Sequence, residues 1–162
     1  MSSTDKPASI APAAHTVESI SNLSNEIVSN SPIYRFLFQE LKITKVSKGE
    51  IEATLPLRPA HLNSKDILHG STSATLVDWI GGLLIVSSSP SSKRGVSVDI
   101  HVTYSGSASL GDELIIRGRA DKVGRNLAFL KVDIFARPLT DPSSGTSKER
   151  LIVSGSHTKY VG

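Results

Sequence analysis

What most limits the folds open to this chain is the order of its hydrophobic periods: one long helical stripe, followed only by strand signals. Between Ser71 and about Ser87, apolar Ala74, Leu76, Val77, Ile80, Leu83 and Leu84 recur at helical spacing until Ser88-Ser89-Pro90 stops the run. Gly95 to Ser105 then alternates Val96, Val98, Ile100, Val102 and Tyr104 with Ser97, Asp99, His101 and Thr103, the period of a strand. Glu113 to Val123, Asn126 to Arg137 and Glu149 to Val161 follow, separated by turn signals at Gly111-Asp112 and Gly124-Arg125 and by a longer loop from Pro138 to Lys148. Ahead of the helix, Glu50 to Leu57 sets Ile51, Ala53, Leu55 and Leu57 against Glu50, Glu52, Thr54 and Pro56. Short connections favour antiparallel pairing, so one helix must cover one face of a sheet of five to six strands, an α+β fold.

The chain has 162 residues, the size of one domain. Residues 1–15, rich in Ser, Ala and Pro and without periodicity, read as a disordered tail, and 16–162 as the domain. From Thr16, apolar Val17, Ile20, Leu23 and Ile27 keep helical spacing; Pro32 interrupts before Ile33, Tyr34, Phe36 and Leu37. One or two short helices are expected, packing on the domain or lidding its pocket rather than reacting.

Composition narrows the function classes. Cysteine is absent, which removes disulfides and thiolate metal sites. The net charge of +3 rests on 18 basic against 15 acidic residues, with no basic run and no aromatics interleaved with basic residues, so nucleic-acid binding is not expected. Apolar stretches are far shorter than the roughly 20 residues of a membrane span, and the N-terminus lacks a signal-peptide pattern. Asp5 and Glu18, with no early arginine, argue against a transit peptide; a cytoplasmic location is expected, with a mitochondrial one left open.

Chemistry concentrates where the first strand crosses to the helix, in His61-Leu62-Asn63-Ser64-Lys65-Asp66-Ile67-Leu68-His69-Gly70 and on to Asp78. Gly70 sits where the first helical amides lack partners and the helix dipole is positive, a place that can bind an oxyanion or serve as an ordinary cap. Asp78 lies at the edge of the apolar stripe; it either faces solvent or is a carboxylate held inside, which is costly unless paired or used. Gly81-Gly82 costs about 1 kcal/mol per glycine relative to alanine, which points to close approach by a strand, a ligand or another subunit.

The run from Asn63 to Asp78, with its His69-Gly70 and its Ala74-Thr75-Leu76-Val77-Asp78 ending, resembles the PaaI-like branch of the hotdog-fold acyl-CoA thioesterases. Further matches are Gly95-Val96-Ser97-Val98-Asp99, Thr103-Tyr104, Gly111-Asp112, the stretch Gly124 to Phe129 and His157-Thr158-Lys159, together spanning roughly residues 35 to 162. Ser71 departs from the pattern, standing where the family usually has a second glycine. The resemblance implies a sheet wrapped around one long helix and hydrolysis of an acyl-CoA thioester by water. Gly70 N–H and the Asn63 side chain would polarise the carbonyl, and Asp78, helped by Ser97, would activate water. Lys122, Gly124, Arg125 and Asn126 at a strand-to-strand turn, with His69, would bind coenzyme A, which is part of the substrate; no separate cofactor is implied. His157 and Lys159 would support rather than react.

Helix geometry adds that eight residues at about 1.5 Å each separate Gly70 from Asp78 by roughly 12 Å, too far to serve one carbonyl within one subunit. Two antiparallel helices related by a two-fold axis would bring Gly70 of one chain to Asp78 of the other, so a homo-oligomer is expected, a dimer or a dimer of dimers. No pair of histidines shows metal-ligand spacing with a carboxylate, so no metal is expected. Ser97 is no nucleophile-elbow serine, because its surroundings lack the final glycine and lie in a strand. The rivals are a hotdog hydratase or dehydratase, whose histidine and acid pairing the Asp66 to His69 spacing does not match, and a non-catalytic acyl-CoA-binding protein of the same fold.

Overall fold

The computed structural model describes residues 15–89, 93–139 and 148–162. The expected tail lies outside the described residues except for His15, and most of the Pro138 to Lys148 loop does too. Two helices come first, α1 (Val17–Asn30) and α2 (Pro32–Leu37). Thr16 caps α1 by accepting from Ser19 N–H, and Ser31 caps α2 with Pro32 in its first turn, where a missing N–H costs nothing. Strands β1 (Lys42–Ser47) and β2 (Glu50–Pro56) lead to a 3-10 turn at Pro59–His61 and the long helix α3 (Gly70–Ser88). Strands β3 (Val96–Tyr104), β4 (Asp112–Val123), β5 (Leu127–Pro138) and β6 (Arg150–Tyr160) complete the fold.

All pairings are antiparallel and the strand order is β1-β2-β4-β5-β6-β3. Six strands form where the alternating segments show five, because β1 hides its period. A register shift between Ile43 and Lys45 puts its inward residues, buried Ile43 and half-buried Val46, three apart instead of two. A second departure concerns neighbours: β3 and β4, joined by a short connection, do not pair. Residues 105–111 carry the chain across two intervening strands, and β3 becomes an edge strand beside β6.

The core forms between the sheet's inner face and α3. Helix α3 is buried far beyond a single stripe: Trp79 through Ser87 are all covered, by the sheet on one side and by α1 and Phe38 on another. Its glycines are contact points. A Cβ on Gly81 would lie 2.6 Å from His157 Nδ1, and one on Gly82 would lie 3.2 Å from Arg94 Cβ. Close approach by a strand therefore explains Gly81, and the segment entering β3 explains Gly82. The strands answer in kind, since a Cβ on Gly118 or Gly155 would collide with Leu84 or Val77 of α3.

Candidate active site

Asp78 is the sole charged residue of α3, positioned where the helix passes from its partly open first turns into the fully covered run that starts at Trp79. Its side chain is 35% exposed. Oδ1 accepts from Ser97 Oγ at 3.0 Å, and Oδ2 accepts from the Tyr34 hydroxyl at 2.7 Å. Lys159 Nζ and His157 Nε2 each lie 3.8 Å from Oδ1. Of the two sequence alternatives, solvent-facing surface or engaged carboxylate, the second describes Asp78.

Ser97 is brought to Asp78 by a local irregularity. Cross-strand partners point to one face, and Ser97 pairs with Lys159, Ile100 with His157, Val102 with Gly155 and Tyr104 with Val153, all on the α3 side. Strict alternation would send Ser97 and Ile100 to opposite faces. The register shift between Ser97 and Asp99 inserts Val98 as an extra residue, so both face the helix. The clean valine and serine alternation of the sequence therefore breaks at Val98, and that break turns Ser97 inward.

Three side chains meet at the Ser97 hydroxyl. Its Oγ donates to Asp78 and accepts from Lys159 Nζ at 3.1 Å, and His157 Nε2 lies within hydrogen-bonding distance of the same oxygen at 2.9 Å. The Nδ1 edge of the ring packs against Gly81 and faces the backbone of Val77. Burial and the neighbouring Lys159 charge push His157 below its usual range, so it is neutral at neutral pH. Lys159, its side chain only 8% exposed, is also lowered, chiefly by burial. For Asp78, burial raises the pKa, but hydrogen bonds from Tyr34 and Ser97 and the charges of Lys159 and His157 more than reverse this, leaving the carboxyl below its ordinary value. Tyr34 moves the other way, well above the usual phenol range, through its own burial and the carboxylate it touches.

Asn63 and Gly70 lie apart from this cluster. Asn63 Oδ1 accepts from Lys65 N–H at 2.8 Å and Ile67 N–H at 3.4 Å, an Asx turn that folds the loop in which Asp66 takes a left-handed φ of 56°. Because Oδ1 does the folding, the amide Nδ2 has no acceptor among the described residues. His69 is the cap of α3: its Nδ1 accepts from Ser71 N–H at 3.0 Å, while Thr72 and Ser73 N–H turn back to the His69 carbonyl. The next amide, Gly70 N–H, opens the helix without a protein acceptor among the described residues. Tyr104 packs over Gly70, its hydroxyl donating to the Gly70 carbonyl at 3.0 Å.

The turn carrying Lys122, Gly124, Arg125 and Asn126 is closed by Gly124 N–H to Leu127 O at 2.8 Å, and Lys122, Arg125 and Asn126 are exposed. Register places this turn at the Ser97 end of the sheet, since Ala128, Lys159 and Ser97 stand side by side across β5, β6 and β3. His61 is buried and structural: its Nε2–H donates to Leu37 O at 2.6 Å and its Nδ1 accepts from Arg58 N–H; His101 is exposed. Sequence reasoning left Tyr34 with plain packing or a lid; no period or motif signals its hydroxyl, which reaches Asp78 only through tertiary contact 44 residues away. Tyr34 also lines a cavity of about 240 Å³ together with Glu26, Ile27, Asn30, Ser31 and Arg94. A larger one of about 530 Å³ lies on the outer face of β1, β2, β4 and β5, where Glu52 pairs with both Lys45 and Arg117. Among the described residues no three His, Asp or Glu side chains gather as a metal site.

Comparisons with known proteins point the same way. A family described as Thioesterase superfamily matches residues 65–142. The chain is 37% identical over 123 residues to acyl-coenzyme A thioesterase 13 of Homo sapiens, covering 75% of this chain and 81% of that one. Among solved structures it is similar to zebra fish thioesterase superfamily member 2, with a TM-score of 0.75 at 30% identity over 91% of this chain and 99% of that chain. It is also similar to a hypothetical thioesterase protein of Streptococcus pneumoniae solved with coenzyme A, with a TM-score of 0.65 at 26% identity over 78% and 88% of the two chains. With an Asp-bearing central helix wrapped by six antiparallel strands in the hotdog fold, and with relatives spanning most of its length, the chain belongs to the thioesterase superfamily.

Proposed function

We propose that the protein hydrolyses an acyl-CoA thioester to a free carboxylic acid and coenzyme A. The observation that carries this reading is the engaged Asp78: one carboxylate on an otherwise uncharged helix, both oxygens held, with Lys159 and Ser97 keeping it ionised. A low-pKa carboxylate is a weak base, so its work is to orient the attacking water and hold charge beside it as the water loses its proton. Water adds to the thioester carbonyl carbon, the oxygen becomes an alkoxide, and collapse expels the coenzyme A thiolate, which takes up a proton. Gly70 N–H and Asn63 Nδ2, neither committed among the described residues, are the donors for that alkoxide; one such donor is worth roughly 3 kcal/mol.

Gly70 and Asp78 of one chain stand eight residues apart on α3, about 12 Å. The shared site is therefore assembled by two copies, with Gly70 and Asn63 from one and Asp78 and Ser97 from the other. Edge strand β3 supplies a surface for the second copy, since Val96 is 71% and Val98 58% exposed on a strand with unpaired backbone. The coenzyme A phosphates fall to Lys122, Arg125 and the amide of Asn126, on the turn that Gly124 closes, with His69 beside the thioester.

The test is thiol release from a panel of short, long and aryl acyl-CoAs by the unmutated protein and by Asp78→Asn. Asp78→Asn preserves shape and removes charge, and turnover is expected to fall on the order of a hundredfold or more with the fold intact. Retained turnover would rule out Asp78 as the working carboxylate. Binding without thiol release by the unmutated protein would make it an acyl-CoA carrier.

A further inference from the structure

The N-terminal helices hold a side chain that the water-activating pair does not account for. Tyr34 of α2 donates to Asp78 Oδ2 at 2.7 Å, while Ser97, Lys159 and His157 all gather on Oδ1. From this geometry we infer that Tyr34 is a positioning residue: it anchors the second carboxylate oxygen, so that Asp78 is pinned at both ends and cannot turn about its terminal bond. The inference rests on the proposed role of Asp78, and adds a residue from outside the segment that the family pattern matches.

Three observations make the contact a built one. The Tyr34 ring stacks on Phe38 with centroids 5.6 Å apart, and Phe38 meets Trp79 of α3 edge-on at 5.9 Å, so the phenol is held by an aromatic ladder rising from the residue next to Asp78. Phe38 and Trp79 are both buried, which leaves the ladder little room to shift. The far end of α2 is tied down as well: buried His61 donates to Leu37 O at 2.6 Å, and Arg58 donates to Phe36 O at 3.0 Å. These anchors fix α2, and with it the hydroxyl, before any substrate arrives. A carboxylate held by one oxygen keeps torsional freedom, whereas one held by both presents a single lone-pair direction to a water.

The charged and titratable groups around this carboxylate are Tyr34 from α2, His157 and Lys159 from β6, and Arg94 ahead of β3, which bears on Tyr34 and Lys159. None of the others reaches Oδ2 as a hydrogen-bond donor among the described residues. Removing the phenol oxygen therefore takes away the one donor on that side, destabilises the ionised form, and must raise the Asp78 pKa.

The experiment is Tyr34→Phe in the full chain, which keeps the ring and its stacking. Two readouts are taken: the carboxyl-carbon NMR titration of Asp78 without substrate, and the pH profile of acyl-CoA hydrolysis. We expect the Asp78 titration and the acid limb of kcat/KM to move together to higher pH by about one unit. We expect kcat on the plateau to fall roughly three- to thirtyfold, with KM within about twofold. A purely structural role would lower the melting temperature and leave both profiles in place. An unmoved titration overturns the inference, as does a plateau kcat equal to or above that of the unmutated protein, which would make Tyr34 an obstruction. If the titration moves but neither protein releases thiol from any acyl-CoA, the proposed reaction fails while the anchoring of Asp78 by Tyr34 stands.

Discussion

Replacing Gly81 with alanine tests whether His157 is held against Ser97 by the bare helix backbone. Two effects oppose each other. Alanine in a helix interior is favoured over glycine by about 1 kcal/mol. The new Cβ, however, would stand 2.6 Å from His157 Nδ1, 3.1 Å from its Cε1 and 3.2 Å from Leu130 Cδ1. His157 is 1% exposed and cannot swing into solvent, so the strand or the ring must move by most of an ångström, and overpacking of this kind costs about 1 to 3 kcal/mol. The balance is a loss of up to about 2 kcal/mol, or a melting point lower by up to roughly 8 °C for a domain of this size. The same displacement stretches the 2.9 Å bond from His157 to Ser97, so turnover should fall beyond what stability alone explains. Gly82→Ala is the internal control: its Cβ would meet the side chain of exposed Arg94 at 3.2 to 3.6 Å, which can yield, so its melting point should stay within a few degrees and its turnover be unchanged. Thermal unfolding by circular dichroism and thiol release on the same preparations give both numbers. A Gly81→Ala protein that melts at or above the unmutated one with full turnover would refute the packing argument, and so would equal damage from the two substitutions.

Two further outcomes follow from the proposed site. Arg125→Ala should raise KM for acyl-CoA substrates more than it lowers kcat, because the exposed turn supplies phosphate contacts and no reacting group; an unchanged KM in steady-state assays would leave it solvated surface. Asn63→Ala and Asp78→Asn should impair complementary halves of a shared site, so refolding the two together at equal amounts should give about half mixed dimers, each with one intact site, and activity near a quarter of the unmutated level. Verified mixed dimers with no gain over the separate variants would sink the two-copy site.

The fold was legible because its signals are periodic. The α3 stripe and the alternation in β2, β4, β5 and β6 each report one buried face, and consecutive strands account for three of the five pairings, leaving β2 with β4 and β3 with β6. What escaped was irregular. Strand β1 breaks its alternation at the Ile43 to Lys45 shift, and the placement of β3 beyond β6 depends on which edge of the sheet still lacks a partner, a property of the assembled sheet. At the site, Asp78 could be singled out because a charge in an apolar helix is expensive wherever it lies. Its partner Tyr34 could not, since a tyrosine among Ile33, Phe36 and Leu37 reads as packing until the fold carries its hydroxyl 44 residues away.

Three breaches of local rule converge on one side chain. A helix of this length is better without Gly81, a strand is better without an extra residue at Val98, and an apolar helix is better without Asp78. Taken singly, each is a cost of order 1 kcal/mol or more with no local return. Taken together, each has a reason: Gly81 admits His157 to the helix surface, the bulge turns Ser97 to the same face, and Ser97, flanked by His157 and accepting from Lys159, donates to Asp78. Held between His157, Lys159 and Asp78, the Ser97 hydroxyl has little freedom to leave the Asp78 oxygen. Stability arguments alone would remove all three features; their coincidence within hydrogen-bonding distance of one carboxylate is what a pre-organised catalytic group requires.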